Sequence, residues 1–213
     1  MHSIITPSST RQLILASSSP YRRALLNRLR ITFDVEAPSI DETAFPHEKP
    51  SDTALRLAES KARTVAVSRR NALVIGSDQV ATLAGRKINK PEDHISALEQ
   101  LRMMRGRNVH FHTAVCLYDP HNDIQRCVDV ITRVRFRNLS DIELDAYLKI
   151  ERPYNVAGST KSEGLGIALL EEVDSSDPTA LVGLPLIALT NMLREAGVAL
   201  FNTTDPSTKG LDI

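Results

Sequence analysis

Cysteine is almost absent. Cys116 and Cys127 are the only two in 213 residues, too few for a disulfide framework. There is no C-x-x-C and no Cys/His cluster at zinc spacing, so no structural zinc site is expected. This sparse usage suits a reducing cytoplasm. Neither sign of charge is in excess: 26 Lys plus Arg balance 26 Asp plus Glu, so charge alone does not drive binding to long nucleic acid. No apolar run approaches the ~18 residues of a membrane span, and Met1 to Gln12 carries no basic patch leading into an apolar stretch. Neither a membrane nor a signal peptide is therefore expected. The common phosphate and hydrolase signatures are missing too: no P-loop, no G-x-G-x-x-G, no G-x-S-x-G and no H-E-x-x-H.

What is present is an ordinary globular composition, 42% hydrophobic and 24% charged. A chain of this length buries roughly 70–75% of its unfolded surface and makes a core without metal or disulfide. Met1–Thr10 and Thr203–Ile213, rich in Ser, Thr, Pro and Gly, read as loose tails. We therefore expect one domain over residues 13–200, with tails at 1–12 and 201–213.

Leu13–Ala16 is a buried-strand pattern. Ser19 then caps a helix that Pro20 opens and that runs to about Leu29. Phe33–Val35 is a short strand. Ser51 is expected to cap a second helix, to about Val67. Leu73–Gly76 is a strand ending at Ser77-Asp78-Gln79, strand pattern resumes over Val80–Leu83, and Ala84–Lys87 reads as a turn. Pro91 is expected to open a helix with Ile95, Leu98, Leu101 and Met104 on one side and Gly106 as its stop. Val109–Tyr118 and Ile124–Arg137 form a hairpin in which Cys116 faces Cys127, read as two reduced thiols. Ser140–Glu143 is a capping box for a helix to about Lys149. Ile167–Leu170 reads as strand and Leu184–Ala196 as the last helix. The sum is an α/β fold: a central mixed sheet flanked by helices, with two lobes around a cleft.

Three features carry chemistry. In Ser17-Ser18-Ser19-Pro20-Tyr21-Arg22-Arg23, hydroxyls and guanidinia stand where a strand runs into a helix N-terminus, an anion site; the alternative is a capped surface helix with solvated arginines. Asp78 follows an apolar strand, where ligands of α/β folds collect; the alternative is a turn residue. Lys161-Ser162-Glu163-Gly164-Leu165-Gly166 sets a cation, a carboxylate and permissive backbone side by side; the alternative is a charged loop. His110 and His112 share a strand face and read as solvated rather than as metal ligands.

These pieces, in this order, resemble the Maf family of nucleoside triphosphate pyrophosphatases. The matching segments are Leu15-Ala16-Ser17-Ser18-Ser19-Pro20 with Arg22-Arg23, Asp41-Glu42-Thr43, Glu59-Ser60-Lys61-Ala62, Gly76-Ser77-Asp78-Gln79-Val80, Lys90-Pro91, Ala157 to Gly166 and Leu181-Val182-Gly183-Leu184-Pro185. Gln79 and Lys161-Ser162-Glu163-Gly164 are similar to the subfamily acting on 7-methyl-GTP; the dTTP/UTP subfamily typically shows Thr and Gln at the Gln79 and Glu163 positions. Tyr21 keeps the aromatic character of the first subfamily.

The resemblance implies a Maf/ITPase-like fold and cleavage between the α and β phosphates. Ser17, Arg22, Arg23, Lys61 and Lys90 would bind the triphosphate. Glu42 and Asp78 would hold a divalent cation, Mg²⁺ or Mn²⁺. Asp78 would accept the proton of the attacking water, with Glu42, Lys61 and Lys90 also catalytic. Tyr21, Gln79, Lys161 and Glu163 would read the base, Glu163 by charge-assisted pairing with the cationic 7-methylguanine and Tyr21 by stacking on it. A homodimer is implied as well. The alternatives are a dTTP/UTP pyrophosphatase and a non-catalytic nucleotide-binding regulator of cell division.

Overall fold

Strict alternation in Leu13–Ala16 (β1) buries both of its faces. Leu13 and Leu15 join one apolar cluster with Leu25, Leu26, Leu189 and Leu193. Ile14 and Ala16 join another with Ala62, Val65 and Val74. A strand covered on both faces reads as an unbroken apolar run, and here helices pack on both sides of it. The computed structural model describes residues 11–201; Met1–Thr10 and Thr203–Ile213, expected as tails, lie outside the described residues.

Helix α1 (Pro20–Asn27) follows β1, and its cap is as expected: the Ser19 side chain accepts from the Arg22 N–H. Strand β2 (Asp34–Glu36) pairs parallel with β1. Helix α2 (Pro50–Ala66) begins one residue before its expected cap. Pro50 takes the first helical position, where its missing N–H is harmless, and Lys49 rather than Ser51 is the N-cap.

Strand β3 corrects a larger expectation. It runs unbroken over Leu73–Leu83, so Asp78 lies mid-strand rather than after one. Its main chain pairs with Ala114, and its charge is met by a lysine, so the polar triplet does not end the strand. Positive φ at Ala84 and Gly85 turns the chain back into β4 (Arg86–Ile88), where only a turn was expected.

Pro91 does not open the next helix. Glu92 has φ +68, and Asp93 caps α3 (His94–Met104) by accepting from the Ser96 N–H at 2.8 Å. Ile95, expected on the apolar side, is 73% exposed. Strands β5 (Asn108–Asp119) and β6 (Ile124–Phe136) form the expected hairpin, in the expected register. That register sets Cys116 directly opposite Cys127, and the structure joins them in a disulfide, Cα–Cα 4.1 Å, where reduced thiols were expected. Helix α4 (Asp141–Glu151) has the full capping box at Ser140 and Glu143. Residues Leu165–Leu169 are a 3₁₀ turn, not strand, because Gly166 is pressed on the Lys161 backbone, where a Cβ would meet Lys161 O at 2.5 Å. Strand β7 (Leu170–Ser175) follows, and α5 (Leu186–Glu195) closes the described chain.

The seven strands form one mixed sheet, ordered β2-β1-β3-β5-β6-β7, with β4 on the free part of β3. Strand β1 covers one edge of β3 from Leu73 to Gly76, and β4 covers it from Ala81 to Leu83. Between them, Ser77 to Val80 face no strand on that edge. This gap separates two cores. One gathers β1, α1 and α5; the other gathers α3, α4 and the far ends of β5 and β6. Among the described residues no helix is long and apolar enough to cross a membrane.

Candidate active site

The gap in the sheet is a cleft. Period-two alternation along β3 splits its polar triplet: Gly76 and Asp78 point toward α2, Ser77 and Gln79 toward the other face. Helix α2 lies against Gly76 so closely that a Cβ there would meet Ala58 O at 2.0 Å and Ala62 N at 2.8 Å. That approach brings the next turn of α2 over Asp78. Lys61, 5% exposed, donates to Asp78 Oδ1 at 2.6 Å and to Glu42 Oε1 at 2.7 Å. Asp78 is itself buried, whereas the Glu42 side chain is 60% exposed. Burial raises the Glu42 carboxyl pKa, but the Lys61 hydrogen bond and the charges of Lys61, Lys90 and Arg22 outweigh it, and the net shift is downward.

Helix α1 supplies a second cation. Arg22 is half-buried; its Nε donates to Gly183 O at 2.9 Å and its Nη1 to Ser17 Oγ at 3.5 Å. Burial lowers its pKa from the usual arginine value, opposed by the charges of Asp78 and Glu42. Ser17 Oγ also accepts from the Ser19 N–H at 3.1 Å. Ser17, Tyr21, Arg22, Glu42, Lys61, Asp78, Gln79 and Lys90 all line one cleft.

A smaller recess lies beside it and shares Tyr21, Gln79, Val156, Ala157 and Val182 with the cleft. Its floor is apolar, from Phe111, Val134, Phe136 and Leu170, and Glu163 is its only charged lining residue. Helix α4 holds the Glu163 segment: Tyr147 donates its hydroxyl to Ser159 O at 3.1 Å and accepts from the Lys161 N–H at 3.3 Å. Burial pushes the Tyr147 pKa up to about 12.

Two expected residues stand apart. Arg23 is exposed and lines neither cavity. Lys161 turns its ammonium to Glu151, 3.3 Å from its carbonyl and 3.4 Å from its carboxylate. Gln79 lines both cavities, but its amide nitrogen is spent on Thr113 Oγ1, Ala180 O and Leu181 O at 2.9–3.1 Å. Its carbonyl oxygen is what remains for a ligand. His112 pairs with Asp129 at 2.6 Å.

Sequence reasoning missed the support beneath Arg22. Ser77 Oγ lies 3.0 Å from Gly183 O, the same carbonyl that holds Arg22. Gly183 has φ +120, open to glycine and strained for other residues. Buried Asp177 braces this turn: it accepts from Thr179 N and Oγ1 and from the Ile187 and Ala188 N–H groups that start α5. The one sequence signal was an Asp ahead of a helix start. Lys87, on the unforeseen β4, also lines the cleft.

Among the described residues no group of three or more His, Cys, Asp or Glu side chains gathers to hold a metal. Two of the cleft's carboxylates, Asp78 and Glu42, already converge on one cation, Lys61. Mg²⁺ is commonly bound by one or two carboxylates together with water and substrate phosphates, and Asp78 with Glu42 fits that pattern.

The fold and cleft define a charged site at a gap in the sheet of an α/β protein, and comparison with known proteins narrows the class. The Maf-like protein family model matches residues 12–196, and the chain belongs to that family. It is 62% identical over 207 residues to the 7-methyl-GTP pyrophosphatase of Burkholderia pseudomallei (strain 1710b), covering 96% of each chain. It is 64% identical over 189 residues to the 7-methyl-GTP pyrophosphatase of Ralstonia nicotianae (strain ATCC BAA-1114 / GMI1000), covering 89% of this chain and 97% of that one. Among solved structures, the Staphylococcus aureus Ham1 protein superposes with a TM-score of 0.51 at 11% identity, over 86% of this chain and 100% of that one; the likeness is one of fold.

Proposed function

We propose that this chain hydrolyses 7-methyl-GTP to 7-methyl-GMP and diphosphate, removing a modified nucleotide from the pool. The observation that carries the reading is the adjacency of two spaces with a shared wall: a cleft with Arg22, Lys61, Asp78 and Lys90 beside a recess with Tyr21 and Glu163. The relatives' names support the same substrate.

In this reading Arg22, Lys61 and Lys90 neutralise the triphosphate, which carries about four negative charges near neutral pH, and stabilise charge growing on the departing diphosphate. Asp78 takes a proton from the water that attacks the α-phosphorus. The new P–O bond forms as the bond to the bridging oxygen of the β-phosphate breaks. Asp78 and Glu42 would hold Mg²⁺ or Mn²⁺, which supplies charge neutralisation and substrate orientation when bound. Glu163 accepts from the N–H groups of the cationic base and Tyr21 offers it an aromatic face, worth roughly 0.5–2 kcal/mol.

The test is a panel of canonical and modified triphosphates with Mg²⁺ or Mn²⁺, reading nucleotide products and diphosphate. We expect the highest kcat/KM on 7-methyl-GTP, with equal amounts of 7-methyl-GMP and diphosphate. Preference for dTTP or UTP, release of orthophosphate, or binding without turnover would each overturn it.

A further inference from the structure

Lys61 stands in an unusual place for a phosphate-binding lysine. Its ammonium is buried in the wall of the cleft, and both of its ion-pair partners are carboxylates, Asp78 from β3 and Glu42 from the loop before α2, at 2.6 and 2.7 Å. The Glu42 side chain is largely exposed, and Lys61 is its one ion-pair partner among the described residues. One ammonium therefore gathers the same two carboxylates that the proposed function assigns to a divalent cation.

We infer that Lys61 holds the cation position in the substrate-free enzyme, so that a divalent ion and Lys61 compete for Asp78 and Glu42. Two cations sharing the same oxygens at such distances repel strongly in a half-buried site. Lysine is suited to yielding: a compact charge on a flexible stem of four carbons, with three donors that re-aim. The triphosphate supplies its alternative partner. Arg22 and Lys90 line the same cleft and draw the phosphates in, and phosphate oxygens then take the Lys61 ammonium away from the carboxylates. Metal and substrate thus bind in support of one another, and the free enzyme binds the metal weakly. The inference rests on the proposed function for the identity of the metal and the triphosphate, but its test does not depend on turnover.

The experiment is a titration of Mn²⁺ into substrate-free protein, followed by electron paramagnetic resonance of the free ion. Lys61→Met removes the ammonium and keeps most of the stem. We expect Lys61→Met to bind Mn²⁺ at least tenfold more tightly than wild type, and the gain to vanish in Lys61→Met/Asp78→Asn. Lys90→Met is the control for a general field effect. Lys90 acts on Glu42 through its charge, and among the described residues it makes no ion pair with Glu42, so its removal should change the Mn²⁺ affinity no more than about threefold. Should Lys61→Met fail to fold without metal, Lys61→Gln serves in its place, and a rise in Tm on adding Mn²⁺ that is larger than in wild type reads the same competition. Mn²⁺ affinity unchanged or weaker in both Lys61 variants overturns the inference, as does an equal gain in Lys90→Met. Failure of wild type to release diphosphate from any triphosphate would instead count against the proposed function, leaving the Mn²⁺ result to stand by itself.

Discussion

The charged cleft and the apolar recess share a wall at Tyr21, Gln79 and Val182, yet they are built on opposite plans. The cleft is lined by seven charged residues, its buried ones already paired with each other. The recess has a floor of Phe and Val and the single charge of Glu163. A crowd of paired charges can trade partners with any triphosphate. A lone carboxylate above an apolar floor has one charge to offer, and in the proposed function that charge would discriminate between bases. The difference teaches where generality and choice are divided in this molecule.

The largest effect should come from the cleft. Asp78→Asn keeps shape and removes the base, so kcat should fall by about 10²–10⁴, on every triphosphate alike. Steady-state kinetics on 7-methyl-GTP and UTP check this; near-normal turnover would remove Asp78 from its role. The recess should respond differently. Glu163→Gln should lower the ratio of kcat/KM for 7-methyl-GTP to that for UTP by at least tenfold, about 1.4 kcal/mol. A ratio left unchanged would mean that Glu163 does not read the base, and the division between the two regions would fail.

How much of this was legible in the sequence depended on how local the cause was. The Ser19 cap, the capping box at Ser140 and the register that opposes Cys116 to Cys127 are each fixed by a few neighbouring residues, and each reads directly. Asp78 looked like the end of a strand because its compensation comes from Lys61, seventeen positions away and on another element. Likewise Pro91 looked like a helix start until the backbone reversal at Glu92 and the Asp93 cap displaced it. Lys161 is drawn off by Glu151, and Gln79 by the carbonyls of residues 180 and 181. The sequence names their chemical type but not the competing partner that the fold puts beside them.

The smallest effect tests the loop that carries Glu42 into the cleft. Glu48 bridges this loop to α2. It pairs with Arg56, which also donates to Thr43 O, and accepts from Thr53 Oγ1. The Arg56 hydrogen bond leads the forces that lower the Glu48 pKa from 4.5 to about 2. A carboxyl whose pKa is lowered by folding contributes stability above its unfolded value and loses it as pH falls through the folded one. Wild type should therefore lose this contribution between pH 4.5 and about 2. Glu48→Gln should have a lower Tm at neutral pH and a shallower decline across that window. Parallel Tm profiles for the two proteins would count against the clamp.

Gly76 contributes no functional group, and it still governs the distance at which Lys61 meets Asp78. The space its missing side chain leaves is filled by helix backbone at Ala58 and Ala62, which cannot rotate aside as a side chain would. Surface positions of proteins generally accept many residues with little effect on stability. Position 76 accepts one. A residue without a functional group thus sets the Lys61–Asp78 contact, and a catalogue of tolerated substitutions should mark it as sharply as that pair.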